Sequence, residues 1–335
     1  MTHPSFADMV RVATPVGVPL ATPFRGITHR EVVIFDAPDG LSEWSPFLEY
    51  DDQEASTWLA CAIEQGWHRD SIPNPSPPPA TLVVNGIVPA LDPAEVATYV
   101  VGLGIPHTIK VKVGGPGSTR ATDVARVKAV REVMGPTGQI RLDANASWTL
   151  DEAEHTIRDV EMFDIDYVEQ PVASPGDLAE LRRRVHRLGI QIAADESIRR
   201  DHDVDTLIEL EAVDVAVVKV QPLGGIQTAS ALARRARDSG MSVVVSSALE
   251  TSVGLYYGAL FHNNLIGMGM KPLDPGLATA GLLESDVVVS PLVAHGGVLE
   301  VNTPELDRDA LKRLALNDER SAWWFARLER ACALF

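Results

Sequence analysis

The chain has 335 residues, 45% of them hydrophobic and 22% charged, enough to bury a sizeable core in one large domain or two smaller ones. A formal charge of −17 opposes partnership with nucleic acid or anionic lipid, because phosphates reward clustered Lys and Arg. No stretch approaches the roughly 18–20 apolar residues of a membrane span, residues 1–8 lack a signal-peptide pattern, and Cys61 and Cys332 suggest neither a disulfide framework nor a metal-ligand spacing, so a cytoplasmic protein is expected.

The first 79 residues read as a small domain. Pro4, Pro15, Pro19, Pro23, Pro38 and Pro46 break short extended runs, among them residues 31–35, which suggests a small antiparallel sheet. A helical stretch over residues 53–65 follows. The Pro-rich link at residues 72–79 can hold neither helix nor central strand and marks a boundary.

From residue 80 the texture changes to short Val/Ile-rich runs alternating with amphipathic Ala-, Arg-, Glu- and Leu-rich segments, the pattern of repeated βα units. Strands are expected at 81–86, 108–113, 139–143, 166–169, 190–195, 214–220 and 242–247, with a weaker eighth at 265–268. Helices are expected at 121–133, 149–163, 177–188, 204–211 and 226–239. Residues 114–118, Gly-Gly-Pro-Gly-Ser, lack the Gly-Lys-Ser/Thr ending of a phosphate loop and read as a flexible βα connection. The barrel domain spans 80–285. The segment 286–335, with an extended run at 286–290 and a last helix near 320–333, is expected to pack back on the N-terminal domain, with Trp323, Trp324 and Phe325 as a hydrophobic anchor.

Strand after strand runs apolar and then ends in a polar residue: Lys112, Asp143, Glu169, Asp195, Lys219 and Ser247. Asp143, Glu169, Asp195 and Lys219 follow one another at 26, 26 and 24 residues, about one βα unit each. In a parallel barrel such ends converge on one mouth, where active sites lie. An open doubly wound sheet would spread them along a crevice, and no Gly-rich nucleotide fingerprint follows the first strand.

Asp143, Glu169 and Asp195 offer three hard carboxylate oxygens from successive strand ends, a donor set for Mg²⁺ with Mn²⁺ as a possible substitute. Each acid taken singly also suits a helix cap, but three carboxylates following apolar strands are costly to desolvate without a cation. Lys110 and Lys112 lie two apart and share a strand face, and Lys219 comes from across the mouth. A lysine near a dication and other lysines is disfavoured in its charged form and becomes a candidate general base, Lys112 being nearest the strand end. A carboxylate substrate chelated by the ion has its α-proton acidified. The resulting enolate permits racemisation, epimerisation or loss of a β-leaving group.

The set Lys110-Val-Lys112, Asp143-Ala-Asn145, Glu169-Gln-Pro171, Asp195-Glu-Ser197, Lys219-Val-Gln221 and Ser246-Ser-Ala-Leu-Glu250 resembles the muconate-lactonising subgroup of the enolase superfamily. The resemblance implies a modified TIM-type (β/α) barrel closed by an α+β capping domain built from the N-terminal and C-terminal segments. Phe24-Arg25-Gly26 with Arg30-Glu31, Trp44-Ser45-Pro46-Phe47, Val84-Asn85-Gly86 and Leu273-Asp274-Pro275-Gly276-Leu277 are most similar to the actinobacterial-type o-succinylbenzoate synthase family of menaquinone biosynthesis. That likeness implies dehydration of a cyclohexadiene carboxylate, a small-molecule substrate, by a lyase. Lys112 would remove the α-proton and assist departure of the hydroxyl, and Lys219 would stabilise the enolate. Asn145, Arg25, Ser247, Gly225 and Leu249 are candidates for supporting the metal or holding substrate. A racemase acting on N-succinylamino acids remains open. A dipeptide epimerase would carry an Asp-x-Asp pair at the eighth strand, where the expected stretch reads Gly267-Met268-Gly269-Met270. A non-catalytic barrel should have lost at least one of the five acids and lysines, yet all are present. The oligomeric state is not legible.

Overall fold

The structure is a computed structural model that describes residues 3–24, 26–73 and 77–335. It opens with α1 (Phe6–Val12), started by a capping box between Ser5 and Asp8. Strands β1 (Ala13–Phe24), β2 (Ile27–Ala37) and β3 (Gly40–Trp44) then form one antiparallel sheet in that order. Pro15, Pro19 and Pro23 all sit on β1, the edge strand of this sheet, whose outer side makes only isolated bridges, Val16 with Ala315 and Leu20 with Leu283, and its register shifts between Pro19 and Phe24. Helix α2 (Asp52–Trp67), N-capped by Asp51, packs on β3 and completes the cap with its buried face of Ala55, Trp58, Leu59 and Ala62.

The expected strand at 81–86 divides. Its first half is β4 (Thr81–Val83), which lies outside the barrel, and the chain turns at Val84-Asn85 before β5 (Gly86–Val88), the first barrel strand. Then come α3 (Val96–Gly102), β6 (Thr108–Lys112), α4 (Arg120–Met134), β7 (Gln139–Asp143), α5 (Leu150–Val160), β8 (Ile165–Glu169), α6 (Pro175–Val185), β9 (Gln191–Ala194), α7 (Asp203–Glu209), β10 (Val215–Lys219), α8 (Ile226–Asp238), β11 (Ser242–Ser246), α9 (Ser252–Gly267) and β12 (Leu273–Gly276). Several of these helices start on side-chain caps: Thr119 with Thr122, Thr149 with Glu152, and Ser174 followed by Pro175. Strands β5 to β12 form one parallel sheet in sequence order. The Asn85 amide donates to the Pro275 carbonyl at 3.0 Å, which draws the first and last strands together into a nearly closed barrel.

The eighth strand differs from expectation. Residues 265–268 end helix α9, and the strand is β12. Helix α9 is buried on almost every side, so its apolar residues show no helical period, and Pro275 and Gly276 are residues that normally argue against a strand. Beyond the barrel, β13 (Ala294–His295) and β14 (Val298–Glu300) form a hairpin whose two turn glycines, Gly296 and Gly297, both take positive φ, and β14 pairs with β4. Helix α10 (Arg308–Leu314) packs on β1, and α11 (Asp318–Cys332) packs on α2. Trp324 is buried edge-on against Trp44 with its indole N–H on Glu31 at 2.7 Å, while Trp323 remains partly exposed beneath Arg320.

Candidate active site at the barrel mouth

Strand alternation decides which side chains enter the barrel. On β6 and β7, Lys110 pairs in register with Arg141 and Lys112 with Asp143; on β8, Tyr167 lies beside Arg141 and Glu169 beside Asp143. Thus an inner layer of Arg141 and Tyr167, packed cation over ring at 5.0 Å, supports an upper layer of acids and lysines at the C-terminal ends. Asp195 follows β9 directly, and Lys219 closes β10, four strands from β6 and so on the opposite wall.

The structure gathers these residues around one narrow cavity of about 50 Å³, lined by Lys110, Lys112, Asp143, Asn145, Asp195 and Lys219 together with Ser247 and Leu249. Lys112 Nζ donates to Asp143 Oδ2 at 2.6 Å and to Asn145 Oδ1 at 2.8 Å. Lys219 Nζ donates to Asp195 Oδ2 at 2.6 Å. Lys110 Nζ lies 3.1 Å from both Glu169 oxygens and 3.4 Å from Asp143 Oδ2. Arg199 Nη1 adds contacts to the Asp195 carbonyl and carboxylate at 2.7 and 3.1 Å.

All three acids are buried. Burial pushes Asp143 up, but Lys112 and Lys110 outweigh it and hold the carboxyl at about 2. Lys219 and Arg199 likewise overcome burial at Asp195 and keep it well below the usual range. Burial and the Asp143 charge instead push Glu169 up to about 7. Lys110 is held well above its usual value: burial opposes its charge, and Glu169 and Asp143 outweigh that opposition.

Among the described residues no three metal-ligating side chains stand in a ready coordination cluster; the carboxylates are turned to the lysines instead. The donor chemistry nevertheless fits a hard divalent cation. Three buried carboxylates come from adjacent strand ends, and at Glu169 burial and the Asp143 charge outweigh the lysines, so a further cation is favoured there.

The loops around the site are held under backbone strain. Asn145, Ala146, Gln170 and Leu249 all take positive φ. Gln170 Oε1 accepts from the amides of Asp195 and Ser197 at 3.1 and 3.0 Å and so fixes the turn after β9. Residues 114–118 connect β6 to α4, and buried Asp123 accepts from the Gly114 amide and the Ser118 hydroxyl. A Cβ at Gly114 would lie 2.0 Å from Ser147 Oγ, so this turn packs against the loop after β7.

Ser247 and Leu249 reach the cavity from the seventh strand end. Ser247 Oγ donates to the Gly276 carbonyl at 2.8 Å and pairs with Thr279, and Arg30 of the cap donates to the Leu249 and Ala248 carbonyls. Gly225 does not line the cavity. The close approach it permits is to Glu64 of α2, whose oxygens would lie 2.7 Å from a Cβ there and which accepts from the amides of Ile226 and Gln227 at the start of α8. Arg25 lies outside the described residues. The eighth strand contains one acid, Asp274, but its carboxylate accepts from Thr108 at 2.6 Å, at the N-terminal end of β6 and away from the mouth. The absence of an Asp-x-Asp pair therefore holds on Leu273-Asp274-Pro275-Gly276 rather than on the residues expected to form that strand.

Seven residues that line the cavity were not assigned to the site from the sequence, Ser246, Ala248, Gly276 and Thr279 beside three more. Glu196, beside Asp195, lines the cavity; Phe47 reaches it from the cap beneath the Arg30 guanidinium, 4.1 Å from the ring centroid; Ile87 enters from the first barrel strand. Glu196 carried a usable signal, an acid next to a candidate ligand at a strand end. Phe47 carried one only as the end of the Trp44-Ser45-Pro46-Phe47 motif, and Ile87 carried none beyond apolarity.

Comparison with known proteins bears directly on this arrangement. A family model described as "Enolase C-terminal domain-like" matches residues 93–305, and one described as "Enolase N-terminal domain-like" matches residues 16–66. The chain is 44% identical over 319 residues to the o-succinylbenzoate synthase of Thermobifida fusca (strain YX), covering 94% of each chain. It is 38% identical over 335 residues to the o-succinylbenzoate synthase of Mycobacterium ulcerans (strain Agy99), covering 99% of this chain and 95% of that one. Among solved structures, the muconate lactonizing enzyme from Pseudomonas fluorescens, complexed with muconolactone, superposes with a TM-score of 0.76 at 20% identity, over 91% of this chain and 98% of that one. The dipeptide epimerase from Cytophaga hutchinsonii, complexed with Mg and D-Ala-L-Val, gives 0.75 at 23% identity over 90% and 96%. These two likenesses bear on the fold.

Proposed function

The chain belongs to the enolase superfamily and, within it, to the o-succinylbenzoate synthases, and from that premise we propose how its own residues carry the reaction. It is a hydro-lyase, acting in menaquinone biosynthesis. The substrate in this reading is 2-succinyl-6-hydroxy-2,4-cyclohexadiene-1-carboxylate, which loses water to give o-succinylbenzoate.

Asp143, Glu169 and Asp195 would hold Mg²⁺, with Mn²⁺ as a substitute; members of the superfamily are generally Mg²⁺-dependent. When bound, the ion polarises the substrate carboxylate and acidifies the neighbouring C–H. Lys112, released from Asp143 and acting as the neutral amine, takes that α-proton. Lys219 presents its ammonium from the opposite wall to the negative charge that develops on the substrate. Lys112, now protonated, delivers the same proton to the departing 6-hydroxyl, so one C–H and one C–O bond break, water leaves and the ring becomes aromatic. Lys110 stays charged between Glu169 and Asp143 and limits their mutual repulsion. Asn145 steadies Lys112, and Ser247 with the backbone at Leu249 receives the succinyl end.

The observation that carries this reading is the placement of two lysines, each 2.6 Å from a strand-end aspartate, on opposite walls of one cavity. The same placement suits two-sided proton transfer and favours a second reading, racemisation of N-succinylamino acids. Following o-succinylbenzoate formation by absorbance with Mg²⁺ and then with EDTA, alongside solvent α-proton exchange of N-succinylamino acids, separates the two. Metal-dependent dehydration supports the synthase reading; exchange without dehydration moves the activity to the racemases.

A further inference from the structure

We infer that Glu196 is a positioning residue for Lys112 and acts through Asn145, an inference that rests on Lys112 being the base. The Asn145 side chain stands between the two: its Oδ1 accepts from Lys112 Nζ at 2.8 Å, and its Nδ2 donates to Glu196 Oε1 at 3.0 Å. Its backbone is fixed as well, with φ at 45° and its N–H donating to Asp143 Oδ1 at 3.1 Å.

A primary amide has nearly the same shape in its two flipped orientations but opposite hydrogen-bonding character. Only one orientation offers an oxygen to the Lys112 ammonium. The flipped one would aim N–H donors at it. Glu196 selects between them, because its carboxylate oxygen accepts from the amide nitrogen and holds it away from Lys112. The Asn145 oxygen thereby holds the lysine at the cavity wall independently of its contact with Asp143.

Glu196 is not explained by local structure. It borders the cavity, and its second oxygen, Oε2, is buried without a hydrogen-bond partner, a costly arrangement for a side chain whose only task is folding. Among the described residues its side chain accepts one hydrogen bond, from Asn145.

The test is steady-state dehydration at saturating Mg²⁺ for wild type, Glu196→Leu, Glu196→Gln, Asn145→Leu and the Glu196→Leu/Asn145→Leu double variant. Glu196→Leu is expected to lower kcat about 10–100-fold, the scale of an outer partner of a reacting group, with KM changed by less than about threefold. Glu196→Gln, whose side-chain oxygen still accepts and whose shape is conserved, restores most of kcat. The double variant is no slower than Asn145→Leu, as required if Glu196 works only through that amide. An unchanged kcat in Glu196→Leu, an effect on KM instead of kcat, or a double variant slowed by the product of the single effects each overturns the inference. If wild type itself exchanges α-protons of N-succinylamino acids without dehydrating, the functional reading falls, and the same set of variants is compared on exchange.

Discussion

The barrel mouth and the seam between cap and barrel both bury acidic side chains, in different company. At the mouth, Asp143 has lysines on two sides, and despite burial they hold it at about 2. At the seam, Glu43 of β3 accepts from the amide and hydroxyl of Thr251 and from the Gly254 amide, with Glu250 nearby, and burial together with that second acid pushes it up to about 7. Backbone donors and a like-charged neighbour make an acid a fastener between domains, whereas ammonium partners keep one ionised, as the proposed metal site requires. Glu169 stands between these cases, at the mouth yet pushed up to about 7 by burial and Asp143.

The sharpest way to break this comparison is to neutralise one acid from each region. Glu169→Gln is expected to reduce dehydration about 10²–10⁴-fold through loss of a metal oxygen, with the protein in EDTA as stable to heat as wild type or more so. Glu43→Gln should leave turnover near wild type. Comparable activity losses in both would erase the distinction between mouth and seam.

The pH dependence of stability sharpens the seam side. Glu43 has a folded value raised from 4.5 to about 7, so the folded chain binds its proton more tightly than the unfolded chain. Its contribution is fully present below 4.5 and is lost as pH rises through about 7, a change of up to about 3 kcal/mol. Urea unfolding of wild type and Glu43→Gln across that window should show the variant with the flatter profile.

A smaller effect is expected at the second fastener. Glu64→Ala leaves the amides of Ile226 and Gln227 without their acceptor and should cost about 1–2 kcal/mol in thermal unfolding. Gly225→Ala should lower stability in the same assay by forcing Glu64 away, and an unchanged melting temperature in both variants would mean the contact fastens nothing.

The mouth was far more legible in the sequence than the seam. Six of the eight barrel strands announce themselves as Val/Ile-rich runs, and the polar residue at each C-terminal end breaks the pattern at the place where the barrel needs it. Spacing by βα units then brings Lys112, Asp143, Glu169, Asp195 and Lys219 together without any three-dimensional information. The eighth strand was hidden because Leu273-Asp274-Pro275-Gly276 violates strand propensity, and its neighbour α9 is apolar all round. Glu43 and Glu64 were silent for another reason: each is an ordinary acid in an ordinary segment until the cap docks and buries it. The Gly296-Gly297 hairpin carried a readable signal, two glycines between short apolar runs, that the irregular texture of the C-terminal segment obscured.

The claim that Lys112 performs the proton transfer is tested most directly by single-turnover dehydration with Mg²⁺, comparing wild type with Lys112→Ala. Loss of about 10²–10⁴-fold in the chemical step, with substrate binding retained, is the predicted result. A variant that dehydrates within about threefold of wild type would place the base elsewhere and contradict the account.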